Sequence, residues 1–186
     1  AHRANDDLLE GWADGVDREL EDGEIIVIDD DHALESVFTP GHAPGHLAFL
    51  HQETGALLGG DLVASKGTIL VRPPRGDMGL YLESLRRVRA MERVRLIQPA
   101  HGWTITQPEE ILDEYIAHRL EREAQVATAL AEADAEWVEP MALVPVVYEN
   151  VPEQVWPLAA MSLTAHLEYL VEQGRAQKEG TTYRAV

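Results

Sequence analysis

The spacing of apolar and polar positions changes character once along this chain, near residue 107. Before it, short apolar or β-branched runs end in glycine, proline or aspartate, the pattern of strands handing over to turns. Residues 6–15 carry weak helical character around Leu8, Leu9, Trp12 and Val16. Strands are predicted at 24–28, closed by the Asp29-Asp30-Asp31 turn, and at 33–38. Residues 46–51 and 56–58 read as two strands joined at Glu53-Thr54-Gly55, a hairpin signal. Thr68 to Val71 predicts another strand, ended by Pro73-Pro74. Between Met78 and Met91, Leu82, Leu85, Val88 and Met91 recur every three residues, which predicts an amphipathic helix. A strand at 94–97 follows. Alternation of this kind predicts a layered α/β domain over residues 1–107.

After Gln107-Pro108 the helical period takes over. Glu109 and Glu110 favour a helix N-terminus through the macrodipole, and Ile111, Leu112, Tyr115, Ile116, Leu120, Val126 and Leu130 extend the pattern. Pro140 opens a short helix. A third helix, from about residue 153 to 173, carries Trp156, Ala160, Leu163, Leu167 and Leu170 and stops at Gly174. The tail reads as a β-hairpin turning at Glu179-Gly180. Three helices and a hairpin predict a winged-helix-like second domain over residues 108–186.

Composition narrows the class. The 186 residues are 45% hydrophobic, enough for one core and a small second domain. No apolar stretch is long enough to span a bilayer, so no membrane partner is expected. There are no cysteines, so any metal is held by nitrogen and oxygen; this is compatible with a reducing cytoplasm. The net charge of -18 argues against nonspecific nucleic-acid binding. An arginine-rich stretch (Arg72, Arg75, Arg86, Arg87, Arg89, Arg93, Arg95) stands against that field, as a solvated helix face or as a landing surface for an anionic substrate.

Three motifs carry the chemistry: Thr39-Pro40-Gly41-His42-Ala43-Pro44-Gly45-His46, then Gly59-Gly60-Asp61, then Pro99-Ala100-His101-Gly102. Each sits at a predicted strand end, and strand-end loops gather on one edge of a sheet. His42, Asp61 and His101 are therefore expected to converge. Two imidazoles and a carboxylate are ligand types that catalytic zinc prefers. Pro44 and Gly45 make the His42–His46 segment a loop whose two rings point different ways.

The order of these motifs resembles the second half of the metallo-β-lactamase superfamily, a four-layered αββα sandwich. Residues 115–119, Arg122-Glu123, Gln125 and Leu163-x-x-His166-Leu167 are similar to β-lactamase-like protein 2 and its bacterial relatives, which append a winged helix. The resemblance implies that His42 and His101 are terminal ligands of two metals, zinc above all. It makes Asp61 the bridge and catalytic orienter, and His46 a supporting residue beyond the ligands. It also implies hydrolysis by a metal-bound hydroxide, of an RNA phosphodiester or of an acyl ester, thioester or amide. The family's His-x-His-x-Asp-His motif is absent, so the chain is expected to be a C-terminal fragment with weakened metal affinity.

Two other readings follow. An inactive fragment would self-associate, as a homodimer, through the sheet face that a half-sandwich leaves open. A DNA-binding winged helix is disfavoured, because residues 108–186 hold fifteen acidic and five basic side chains. His118, His166 and the four tryptophans are expected to be packing or interface residues. Asp77, Met78 and Tyr81 are placed near the family's substrate loop.

Overall fold

The computed structural model describes residues 18–186. The helix expected over 6–15, with Trp12, lies outside them. Five strands form one sheet in sequence order: β1 (Ile25–Val27), β2 (Ala33–Phe38), β3 (Leu47–His51), β4 (Ala56–Gly60) and β5 (Leu96–Pro99). Strands β1 through β4 are antiparallel, joined by short turns except between β2 and β3, where the longer loop 39–46 intervenes. β5 lies parallel to β4, so the connection must cross over, and helix α1 (Met78–Arg89) makes that crossing. Asp77 caps α1 by accepting the Leu80 N–H at 2.8 Å, while Arg86, Arg87 and Arg89 complement the dipole at its last turn.

Period-two alternation sorts the sheet into two faces. Val37, Ala48, Leu50, Leu57 and Ile97 point toward α1 and are almost wholly buried. Each of these except the smaller Ala48 contributes about 1.5–3 kcal/mol by leaving water. The other face carries Leu34, Phe38, Leu47, Phe49 and Leu58, the last 44% exposed.

The rest is helical. Helix α2 (Pro108–Ala131) is followed by α3 (Pro140–Val147), a 3₁₀ turn (Glu153–Val155), α4 (Trp156–Glu172) and the hairpin of β6 (Ala176–Glu179) and β7 (Thr182–Ala185). A second core gathers Val126, Leu130, Leu143, Val144, Leu163, Leu167 and Tyr183. The expected division at 107/108 falls at the start of α2, whose first half gives Leu112 and Tyr115 to the sheet core and whose second half builds the helical core. No helix among the described residues is long and apolar enough to cross a membrane.

One predicted strand is not one. Residues 68–71 pair with no strand among the described residues; they form a buried strap in which Ile69 and Val71 are 4% and 0% exposed. Their apolarity reported burial correctly. Side chains, not a neighbouring strand, satisfy the strap's carbonyls: Arg119 donates to Ile69 O at 2.5 Å and His42 to Leu70 O.

Candidate metal centre

All three motifs leave the sheet at one end. The first loop follows β2, the second ends β4 and the third ends β5. Gly41 fits only as glycine: its φ is 125° and a Cβ would lie 2.3 Å from the Tyr81 backbone. The Gly41 carbonyl also accepts the Asp77 N–H at 2.8 Å, which ties the loop to the start of α1.

His42, Asp61 and His101 meet there. His42 Nε2 is 3.6 Å from Asp61 Oδ2, and His101 Nε2 is 3.2 Å from Asp61 Oδ1. Each imidazole thus faces a different oxygen of one carboxylate. His42 Nδ1 donates to Leu70 O at 2.9 Å, which leaves the lone pair on Nε2, toward Asp61. His42 and Asp61 are one-third exposed; His101 is 70% exposed.

His46 does not face the carboxylate. Its Nε2 accepts the backbone N–H of Asp61 at 3.0 Å, so its protonated Nδ1 faces Thr39 O at 3.1 Å and Thr39 Oγ1 at 2.8 Å. Burial, reinforced by the neighbouring His42, holds its pKa below the ordinary histidine value, as a neutral acceptor requires. Gly60, at φ 53°, lets the ring approach, because a Cβ there would meet His46 Nε2 at 2.6 Å. The rings of His42 and His46 stand edge to face, 6.4 Å apart.

Several side chains support the site in roles that the sequence pattern did not assign. Ser65 N–H donates to His101 O at 3.3 Å and Ser65 Oγ accepts the Trp103 N–H at 2.8 Å, so the stretch after Asp61 is stapled to the His101 loop. Tyr81 Oη donates to Leu62 O at 2.7 Å, and Tyr115 Oη accepts the Ala64 N–H at 3.0 Å. Burial raises the pKa of both phenols, which keeps them protonated donors. Buried Arg119 holds the strap through Thr68 Oγ1 at 2.8 Å and lies over the Tyr81 ring. Helix α2 therefore braces the bed on which His42 rests.

Among the other residues singled out, Asp77 caps α1, and Met78 and Tyr81 are 1% and 0% exposed, so those two present no surface to a substrate. Trp103 is no core anchor: it stands 68% exposed two residues beyond His101. Three of the seven arginines are committed to carboxylates, Arg87 to Asp22, Arg89 to Asp113 and Arg93 to Glu35, which removes much of the landing surface. His166 is wholly buried, with neither ring nitrogen partnered among the described residues; burial and the charges of Arg119 and Arg122 push its pKa down to about 3.

Comparisons with known proteins place the fold in a family. A family model described as the metallo-beta-lactamase superfamily matches residues 3–101, and one described as the beta-lactamase associated winged helix domain matches 140–184. A beta-lactamase-like protein 2 homolog of Drosophila melanogaster is 33% identical over 139 residues, 75% of this chain and 46% of that protein. An atrochrysone carboxyl ACP thioesterase of Paecilomyces divaricatus is 36% identical over 133 residues, 69% of this chain and 40% of the relative. The crystal structure of a metallo-beta-lactamase family protein from Thermus thermophilus superposes with a TM-score of 0.75 at 27% identity, covering 90% of this chain and 54% of that one. The chain spans about half the length of the curated relatives it matches.

Proposed function

Because the chain belongs to the metallo-β-lactamase superfamily, we propose that it supplies part of the centre of a zinc-dependent hydrolase, with His42, Asp61 and His101 holding the metal. One observation carries this reading: two imidazole Nε2 atoms address opposite oxygens of a single carboxylate. That is the disposition a bridging carboxylate needs, and the nitrogen-and-oxygen donor set suits zinc. Bound zinc would supply Lewis-acid polarisation and an acidified water.

The chain's own residues have defined tasks. Leu70 O fixes the His42 tautomer and aims its free nitrogen. His46 holds the Asp61 backbone, and through it the carboxylate. Ser65 sets the loop that presents His101. Exposed Trp103, and a cavity of about 410 Å³ lined by Ser65, Thr68, Ile111, Glu114, Tyr115 and His118 among others, offer a substrate a mixed polar and apolar approach beside the Ser65 staple. An acyl ester or thioester fits that lining better than RNA, given the committed arginines and the net charge of -18. The similarity to a thioesterase supports the same choice.

The test pairs binding with turnover. Zinc, followed by amide NMR at residues 40–46, 60–62 and 100–103, should bind there in the wild-type chain and lose affinity in Asp61→Asn, His42→Ala and His101→Ala. The parent hydrolase should cleave an acyl-thioester faster than single-stranded RNA. Zinc binding indifferent to all three substitutions would end the assignment; faster RNA cleavage would reverse the substrate.

A second reading concerns the outer sheet face. Phe49 and Leu58 lie side by side on it, in a face that no described element covers. A homodimer through this face is expected at micromolar concentration, and Leu58→Asp should dissociate it in light scattering. A wild-type monomer under those conditions rejects it.

A further inference from the structure

A second nitrogen-and-oxygen cluster occupies the opposite end of the sheet. The ligating atoms of His32, His51 and Glu53 all lie within 4.8 Å of one another. His32 belongs to the turn between β1 and β2, His51 closes β3, and Glu53 lies in the turn leading to β4. The five residues of β3 separate this cluster from the His46 loop by about 17 Å.

Two contacts orient the donors. His51 Nδ1 lies 2.9 Å from Thr54 Oγ1, so Nε2 is the nitrogen presented to Glu53, whose Oε2 is 3.6 Å away. That same Oε2 accepts the Ala33 N–H at 3.4 Å, which draws the carboxylate across to the start of β2, beside His32. The His32 and His51 rings lie 5.1 Å apart, centroid to centroid. The pairing of Leu34 with His51 brings the two hairpins together.

Two imidazoles and one carboxylate select zinc, nickel or copper over calcium or magnesium. Tetrahedral zinc, with bonds near 2.0–2.2 Å, needs donors about 3.4 Å apart. The His51–Glu53 pair is almost there, and His32 and Glu53 are exposed side chains that close the rest by rotation.

We propose that His32, His51 and Glu53 form a surface site for a divalent transition-metal cation, independent of the centre around Asp61, which staples the β1–β2 turn to the β3–β4 turn. Water or further donors complete the coordination, so the site is a structural clasp and its affinity is modest.

The test is a zinc chloride titration of the full chain followed by amide NMR, in wild type and in Asp61→Asn. Saturable shifts are expected around residues 30–34 and 50–55, unchanged by Asp61→Asn. His51→Ala and His32→Ala should each weaken them about tenfold or more. His32 is an exposed turn residue, so its variant keeps the fold even where the His51 variant does not. Calcium should leave the region silent. A folded chain showing no zinc shifts there, or shifts that survive both His32→Ala and Glu53→Gln, overturns the site. Either failure leaves the reading at Asp61 untouched, since that rests on different residues.

Discussion

The two ends of the central sheet hold the same ligand types, two histidines and a carboxylate, yet they are built differently. Exposure does not separate them: Asp61 is one-third exposed and His51 about one-fifth. What differs is where each side chain's remaining atoms are tied. At one end the ties run to peptide groups of other loops and of the strap, Leu70 O for His42 and the Asp61 N–H for His46. At the other, His51 leans on Thr54, three residues on, and Glu53 on Ala33 in the adjoining hairpin. The first cluster therefore needs the completed tertiary structure, whereas the second needs only two neighbouring hairpins.

Gly41→Ala gives the largest expected break in this comparison. It drives a methyl into the Tyr81 backbone at a positive φ and should cost about 3 kcal/mol, read from the urea midpoint. Zinc-dependent shifts near His42 should vanish with it, while those near His51 persist below the unfolding transition. Asp61→Asn comes next. It preserves shape but removes the charge both imidazoles face, and should weaken zinc at the first cluster by about a hundredfold in calorimetry without touching the second.

Acidification sharpens the contrast through the supports. His166 titrates near 6.5 when unfolded and about 3 when folded, so the unfolded chain binds the extra proton between those values. Stability is full above about pH 6.5 and falls as pH drops toward 3, by about 2 kcal/mol between pH 7 and 5 for one such group. Half-buried His46 and the more exposed His118, shifted in the same direction by desolvation and neighbouring charge, add smaller amounts. Substituting His166→Phe should flatten the urea-stability profile over that range. Thr39→Val is the smallest change expected: it removes the hydroxyl from His46 Nδ1 and leaves the Thr39 carbonyl, costing about 1 kcal/mol.

Legibility in the sequence followed the same divide. The hairpin at Glu53-Thr54-Gly55, the α1 period and the proline-started helices are local signals, and the structure contains each of them. The convergence of His42, Asp61 and His101 was readable because each follows a strand on the same side of one sheet. The strap at 68–71 misled, because apolarity reports burial and says nothing about what satisfies the backbone. Ser65 gave no signal, and Arg119 stood out only as part of the family resemblance without its role, since a serine after a loop aspartate and an arginine on a long helix are ordinary until a partner is in place.

By itself, the sequence determined the period change near residue 107, the strand–helix order, and ligand-type residues at three strand ends. Turn chemistry and side-chain periodicity act within a few residues, so one dimension suffices to encode them. Only the tertiary structure decided which carbonyl fixes the His42 tautomer, which helix braces the strap, and that His32 and His51 stand together. Those are pairings across long stretches of chain, settled by which surfaces pack and not by any local preference.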